Sequence, residues 1–245
     1  MSSDESYLAL RLEGPLQSWG FDSQYNRRNT GLMPTKSAIA GICCAALGFT
    51  RGNDKEKTFL TKFRTVQMTA IAIPRNGNKK ELPVRRLQDY HTVGGGYDPN
   101  DPRERGHITV SAEDGKPRLK NGQALAVLTH RQYLTDAAFG ILLEGEAVLL
   151  GEIATALADP KWGIWLGRKT CIPSAPILAG LKDNRDDALH TLIGENSLES
   201  FTRQEEVETF SEGRDTLPDA PVSFATERRS FSPRRVRTLQ GVEIL

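Results

Sequence analysis

The chain has 245 residues, 38% of them hydrophobic and 26% charged, with a formal net charge of +1. This describes a soluble globular protein able to bury a real core, as one elaborated domain or two small ones. No apolar run approaches a membrane span, and the polar, acidic start M-S-S-D-E-S is unlike a signal peptide. The expected address is the cytoplasm, with no membrane partner.

Leu8, Leu10 and Leu12 alternate with Tyr7, Ala9 and Arg11, which predicts a strand from Tyr7 to about Glu13, broken by Gly14-Pro15. A basic loop from Gln24 to Ser37 follows. Pro34 and Thr35 start a helix on which Ile39, Ile42, Cys43, Ala46 and Leu47 recur, and Gly48 stops it. Ala38, Gly41 and Ala45 keep that helix slim. Arg51 to Lys57 reads as a polar connector and Thr58 to Arg64 as the end of a short amphipathic helix.

Thr65 to Ile73 reads as a strand covered on both sides, since Val66 and Met68 alternate out of phase with Ile71 and Ile73. Asn76 to Arg86 is a polar turn carrying Lys79, Lys80, Arg85 and Arg86. D-Y-H-T reads as a turn, Gly94 to Gly96 as a hinge, and 97–122 as a projection with one strand-like piece at His107 to Val110. Strands are expected at Leu125 to Thr129 and Gln132 to Leu143, then a helix from Gly145 to Ala158. A strand and a glycine-basic turn follow over 161–171. The order strand, helix, strand, projection, strand, helix, strand is the split βαβ pattern of the ferredoxin-like fold. A helix at Asp186 to Ile193, a charged segment and a basic tail complete the chain.

Charge is segregated. Residues 225–240 hold five arginines against one glutamate, and 182–219 hold four basic residues against eleven acids. One face suits a polyanion and another suits a basic protein neighbour. Three cysteines (Cys43, Cys44, Cys171) and four scattered histidines have neither disulfide-framework nor metal-ligand spacing, so no metal and no cofactor is expected.

No nucleophile elbow, paired carboxylates or nucleotide fingerprint is present. His91, beside Tyr90 and Asp89, is the one candidate general base, as a metal-independent ribonuclease would need; a structural or RNA-contacting turn is the alternative. At the first helix, Thr35, Lys36 and Ser37 form either a phosphate cradle or an ordinary cap. Rings and cations interleave: Trp19 with Arg27 and Arg28, Tyr90 and His91 with Arg85 and Arg86, Arg131 with Tyr133, Trp162 and Trp165 with Arg168 and Lys169, Phe231 with Arg234 and Arg235. Such pairing suits single-stranded RNA, whose phosphates take cations and whose bases stack on rings.

Six stretches resemble one family in its order: L-A-L-R-L-E-G-P-L-Q-S-W-G, G-L-M-P-T-K-S-A-I-A-G, D-Y-H-T-V, R-Q-Y-L-T-D-A-A-F, W-L-G-R-K-T-C-I-P and F-S-P-R-R-V. The chain is similar to the CRISPR-associated subunits that cap the 5′ handle of the guide crRNA in type I-E Cascade, the CasD family of the RAMP superfamily. The resemblance implies a single α+β domain with a ferredoxin-like (RRM-like) body over 7–88 and 125–180. It also implies an extended β-hairpin thumb around 89–131 and a C-terminal elaboration over 181–245.

The resemblance further implies a non-catalytic role. The body would hold the handle, and the thumb would cross the guide near its first spacer nucleotides. Partners would be the crRNA, the backbone and large subunits of Cascade, and target DNA through the guide-DNA hybrid. Residues assigned to RNA on this basis are Arg27, Arg28, Lys36 and Ser37, then Tyr90, His91, Arg131, Arg168 and Lys169, with Arg234 and Arg235 serving RNA or a protein neighbour. The alternative is a metal-independent endoribonuclease that processes guide-RNA precursor, as the equivalent subunit of type I-C systems does.

Overall fold

The computed structural model describes residues 5–20, 23, 26–74, 82, 85–93, 119–120, 123–124 and 127–242. In chain order, strands β1 (Glu5–Glu13), β2 (Leu16–Gln17) and β3 (Arg27–Arg28) precede helices α1 (Lys36–Leu47) and α2 (Asp54–Phe63). Next come β4 (Gln67–Ala72), β5 (Arg86–Val93), β6 (Leu119–Lys120), β7 (Gln123–Ala124), β8 (Val127–Thr135) and β9 (Ala138–Glu146). The chain continues through α3 (Ala147–Ala158), β10 (Leu178–Lys182), α4 (Arg185–Ile193), β11 (Arg203–Val207), β12 (Asp215–Ser223) and β13 (Ser230–Leu239).

The main sheet has seven strands in the order β10-β1-β9-β4-β11-β13-β12, all neighbours antiparallel. Its first four strands, with α1 and α3 as the crossovers, are the ferredoxin-like body that the element order predicts. Leu8, Leu10 and Leu12 of β1 join α1, α2 and α3 in the larger core, while Ala9, Ile71 and Leu142 turn to the other face and pack with Ala188, Leu189 and Leu192 of α4. The sheet is thus covered on both sides, which is why β4 shows no single apolar side.

Both helix boundaries of α1 follow from side chains. Thr35 accepts from the Ala38 N–H as N-cap, and Gly48, at φ 71°, closes the C-terminus. The opening motif is structural. Gln17 is fully buried, its Nε2 donating to Leu12 O at 3.1 Å and Ala137 O at 2.7 Å while its Oε1 accepts from Trp19 Nε1 at 3.1 Å.

Several expectations need correction. The connector over 51–57 is half helix, because Asn53 caps α2 by accepting from Glu56 N. D-Y-H-T lies on strand β5, paired residue by residue with β8 from Arg86↔Leu134 to Val93↔Val127. The single strand expected over 132–143 is two, divided at Asp136, whose φ of 52° turns the chain. Residues 161–171 form no strand; Gly167 at φ 101° and the hydrogen bond from Leu166 N to Cys171 O make a tight loop. The basic tail is β13, integral to the main sheet. The hinge at 94–96, the projection over 97–118 with its strand-like piece, Lys79, Lys80 and Leu125 lie outside the described residues.

β2, β3, β5 and β8 make a second, smaller sheet, in which β3 runs parallel to β8 and the other pairs are antiparallel. Its longest pairing is β5 with β8, matched from Arg86↔Leu134 to Val93↔Val127.

Candidate nucleic-acid interface

A cleft of about 690 Å³ runs along the slim side of α1. Its floor is Ser37, Ala38, Gly41 and Ala45, residues too small to fill the space above them. One wall is the loop over 161–171, which is fixed to the C-terminal end of α1 by Lys161 N to Ala46 O at 3.0 Å and Trp162 N to Ala45 O at 3.2 Å. The loop brings Trp162 and Trp165 to the cleft. Its other end is held by Ser18 N donating to Leu166 O at 3.0 Å.

Arg168 joins the loop to the smaller sheet. Its guanidinium donates to Gln132 O at 2.9 Å and Arg28 O at 2.6 Å and stacks 4.8 Å from the Tyr133 ring centroid. The opposite wall comes from the β12–β13 connection, with Phe224, Arg229 and Phe231, and from Phe49, Arg51 and Glu56 around the start of α2. Arg229 is held below its ordinary pKa by burial and by the Arg51 guanidinium, with the Glu56 carboxylate opposing the shift. Among the described residues, four arginines and several rings therefore converge on one cleft with a single carboxylate, that of Glu56.

The expected site residues divide. Arg28, Ser37 and Arg168 line the cleft, and Lys169 stands 5.8 Å from the Trp165 ring at its edge. Arg27 and Arg28 are both exposed, but successive strand residues face opposite sides, so only Arg28 reaches the cleft. The register Arg27↔His130↔Tyr90 puts Arg27 on the far face, where the Tyr90 and His130 rings lie 5.1 Å apart. His91 shares the other face with Asp89, its Nδ1 3.4 Å from Asp89 Oδ2. Arg131 Nε donates to Thr129 Oγ1 at 3.1 Å.

Lys36 and Arg234 do not face a ligand. The Lys36 ammonium is fully buried, donating to Val66 O at 2.6 Å and to both oxygens of Glu206 at 2.9 Å. Burial holds its pKa below the usual lysine value, with Glu206 opposing the shift. Arg234 is buried against Asp219, at 2.6 Å and 3.0 Å, and Asp219 Oδ2 in turn accepts from the backbone N–H of Lys36 at 2.9 Å. A protein carboxylate thus occupies the helix start where a phosphate was expected, and both cations belong to a buried network. Arg235 sits on the surface, stacked 3.9 Å over the Phe210 ring.

Trp19 and Tyr133 are core rings with no face free for a base. The residues that sequence reasoning did not assign to the site are Arg51, Arg229, Glu56, Phe49 and Phe224. Arg51 follows closely on the helix stop at Gly48, a position that opens onto the same side as the helix surface. Glu56 is marked locally only as a helix cap, three residues after Asn53, with its own N–H donating to Asn53 Oδ1 and its carboxylate accepting from Gly52 N.

The sequence profile of the family described as CRISPR-associated protein (Cas_Cas5) matches residues 7–237. The Escherichia coli (strain K12) protein named CRISPR system Cascade subunit CasD is 28% identical over 239 residues, spanning 96% of this chain and 96% of that protein. A chain of a solved CRISPR RNA-guided surveillance complex matches with TM-score 0.70 at 28% identity, over 96% of this chain and 90% of that one. A structure described as a Cas protein matches with TM-score 0.61 at 28% identity, over 96% and 95%. With a ferredoxin-like body and a profile match running through nearly all of its elements, the chain belongs to the CRISPR-associated Cas5 family.

Proposed function

We propose that this protein is the non-catalytic subunit of a type I-E surveillance complex that binds the 5′ handle of the guide crRNA and helps assemble Cascade for target recognition in antiviral defence. It works in the cytoplasm with the backbone and large subunits and meets target DNA through the guide-DNA hybrid. The body over 7–88 and 125–180 grips the handle, the thumb around 89–131 crosses the guide, and the elaboration over 181–245 completes the grip. One observation carries this role: the cleft over α1 gathers Arg28, Arg51, Arg168 and Arg229 with the exposed faces of Trp162 and Phe231. Cations beside stacking rings recognise single strands, and in RNA-guided systems pairing rather than protein reads target sequence.

The alternative, a metal-independent endoribonuclease, needs His91 and Tyr90 at one reacting atom. Alternation along β5 sends them to opposite faces.

Reconstitution tests the proposal. The protein should join the other Cascade subunits only on RNA bearing the handle, and incubation with guide precursor in chelator should leave the RNA intact. Arg28→Ala with Arg51→Ala should flatten the salt dependence of RNA binding by about 0.7 in log-log slope per lost phosphate contact. An unchanged slope removes the cleft from the role, and cleavage of the precursor removes the role itself.

A further inference from the structure

At the α2 end of the cleft, one polar atom has no partner. Glu56 is 1% exposed, and its two carboxylate oxygens differ. Oε2 accepts from Gly52 N at 2.8 Å, while Oε1 has no hydrogen-bond partner. Leaving a buried charged acceptor unmade costs free energy, and nearly all buried polar groups in native proteins are satisfied. The carboxylate is also held rigidly, since the Glu56 N–H donates to the Asn53 side chain at 2.8 Å at the start of the same helix. Its free oxygen therefore stands beside a cleft whose other charged residues, among those described, are arginines.

The surroundings define what fits. Arg51 and Arg229, both exposed, stand near the Glu56 carboxylate, and their mutual repulsion is only partly offset by it. Phe231 and Trp162 are each close to half exposed, and Phe224 lies edge-on to Phe231 at 6.4 Å between ring centroids. An anion for the arginines, a flat π-face for the rings and an N–H donor for Oε1 together describe one unpaired nucleotide. The donor must stand without an adjoining carbonyl, which the carboxylate would repel; an exocyclic amino group meets this and the 4-carbonyl edge of uracil does not.

We propose that this end of the cleft is a base-reading subsite in which Glu56 Oε1 accepts a hydrogen bond from the amino group of an unpaired base, taking cytosine over uracil. The proposal rests on the RNA-binding role given above and adds specificity to it. Arg51 and Arg229 hold the phosphate, Phe231 and Trp162 hold the ring, and Glu56 selects its edge.

Cytosine and uracil are similar in size and stacking surface and differ at position 4 and in the proton at N3, so they isolate the edge. The experiment measures binding of the full chain to six-nucleotide oligocytidylate and oligouridylate by fluorescence anisotropy at fixed salt. The wild-type protein should bind the cytosine strand about tenfold more tightly, within the range for one good base-edge contact.

Glu56→Gln gives a sharper outcome. Gly52 N still requires an acceptor, so the glutamine carbonyl keeps that bond and its amide NH₂ turns to the cleft. An acceptor becomes a donor, and the preference should invert toward the uracil strand. A protein that merely loses a structural carboxylate would weaken on both strands without inverting. Equal binding of the two strands by the wild type, or a Glu56→Gln ratio still favouring cytosine, overturns the subsite and leaves the RNA-binding role standing. Failure of the wild type to bind either strand overturns both.

Discussion

The buried ammonium of Lys36 lies 2.9 Å from both carboxylate oxygens of Glu206, a residue 170 positions later in the chain. Arg234 stands 3.7 Å from the same Glu206, and its own partner Asp219 returns to the Lys36 backbone N–H. The start of α1, which forms one end of the cleft floor, is therefore fastened to the β11–β13 strands by buried charge. Lys36→Met keeps the side-chain length but leaves Glu206 without its nearest cation. It should lower unfolding free energy by about 3 kcal/mol in urea titration, because breaking one partner of a buried pair strands the other. Ser37→Ala, on the cleft side, should leave stability nearly unchanged.

Gly167 allows the wall loop to reach the smaller sheet. A Cβ added there would meet Ser18 O at 1.8 Å, on a backbone with φ of 101°. Gly167→Ala should destabilise by about 2 kcal/mol or more and release Arg168 from Gln132 O and Arg28 O, since both strain and backbone displacement oppose it. Thermal unfolding measures the first effect. The second appears as RNA affinity lost in the folded fraction.

The neighbours Arg27 and Arg28 should differ in solution as they do in direction. Arg28→Ala should reduce affinity for handle RNA several-fold and flatten the salt slope by about 0.7, whereas Arg27→Ala should change cleft binding less than twofold. Filter binding across a salt series with both single variants decides this, and equal losses would return the far face to the site.

Acid should act on the C-terminal strands through Glu205. Burial pushes its carboxyl up, but hydrogen bonds from Arg203 at 2.6 Å and Arg237 at 2.5 Å outweigh that and hold it below the usual 4.5. A carboxyl lowered on folding stabilises the native state above its unfolded pKa, and that stability is lost as pH falls through the folded value. Glu205→Gln should therefore show a shallower fall of the denaturation midpoint between about pH 5 and pH 3 than the wild type.

Much of the body is legible in the sequence because its determinants are local. Alternation at Leu8, Leu10 and Leu12 and the pair Thr35 and Gly48 fix β1 and α1 from neighbouring residues alone. The seven-strand sheet is not legible in this way. β11 to β13 carry charge where a half-buried strand would carry hydrocarbon, because their charges pair across strands, as Glu205 does with Arg237. The site divides on the same ground. Residue type identifies Arg28, Arg168 and Trp162 as suited to RNA, but Lys36 and Arg234 look the same from sequence, and only partners 170 and 183 positions after Lys36 reveal them as internal. Trp19 is misjudged for the complementary reason, since a ring beside arginines in sequence can still point wholly inward.

The fastening of α1 by Glu206, Asp219 and Arg234 has a consequence for how the protein is made. The counter-charges of a helix near the front of the chain are synthesised long after it, so a nascent chain emerging from the ribosome carries Lys36 without them. The groove floor is then completed only once the late strands have emerged, a long-range closure of the kind that slows folding. Protease sensitivity of ribosome-stalled chains should show this: those ending near residue 202 should be cleaved around α1, and those carried on a C-terminal linker long enough for residue 239 to clear the ribosome should be protected.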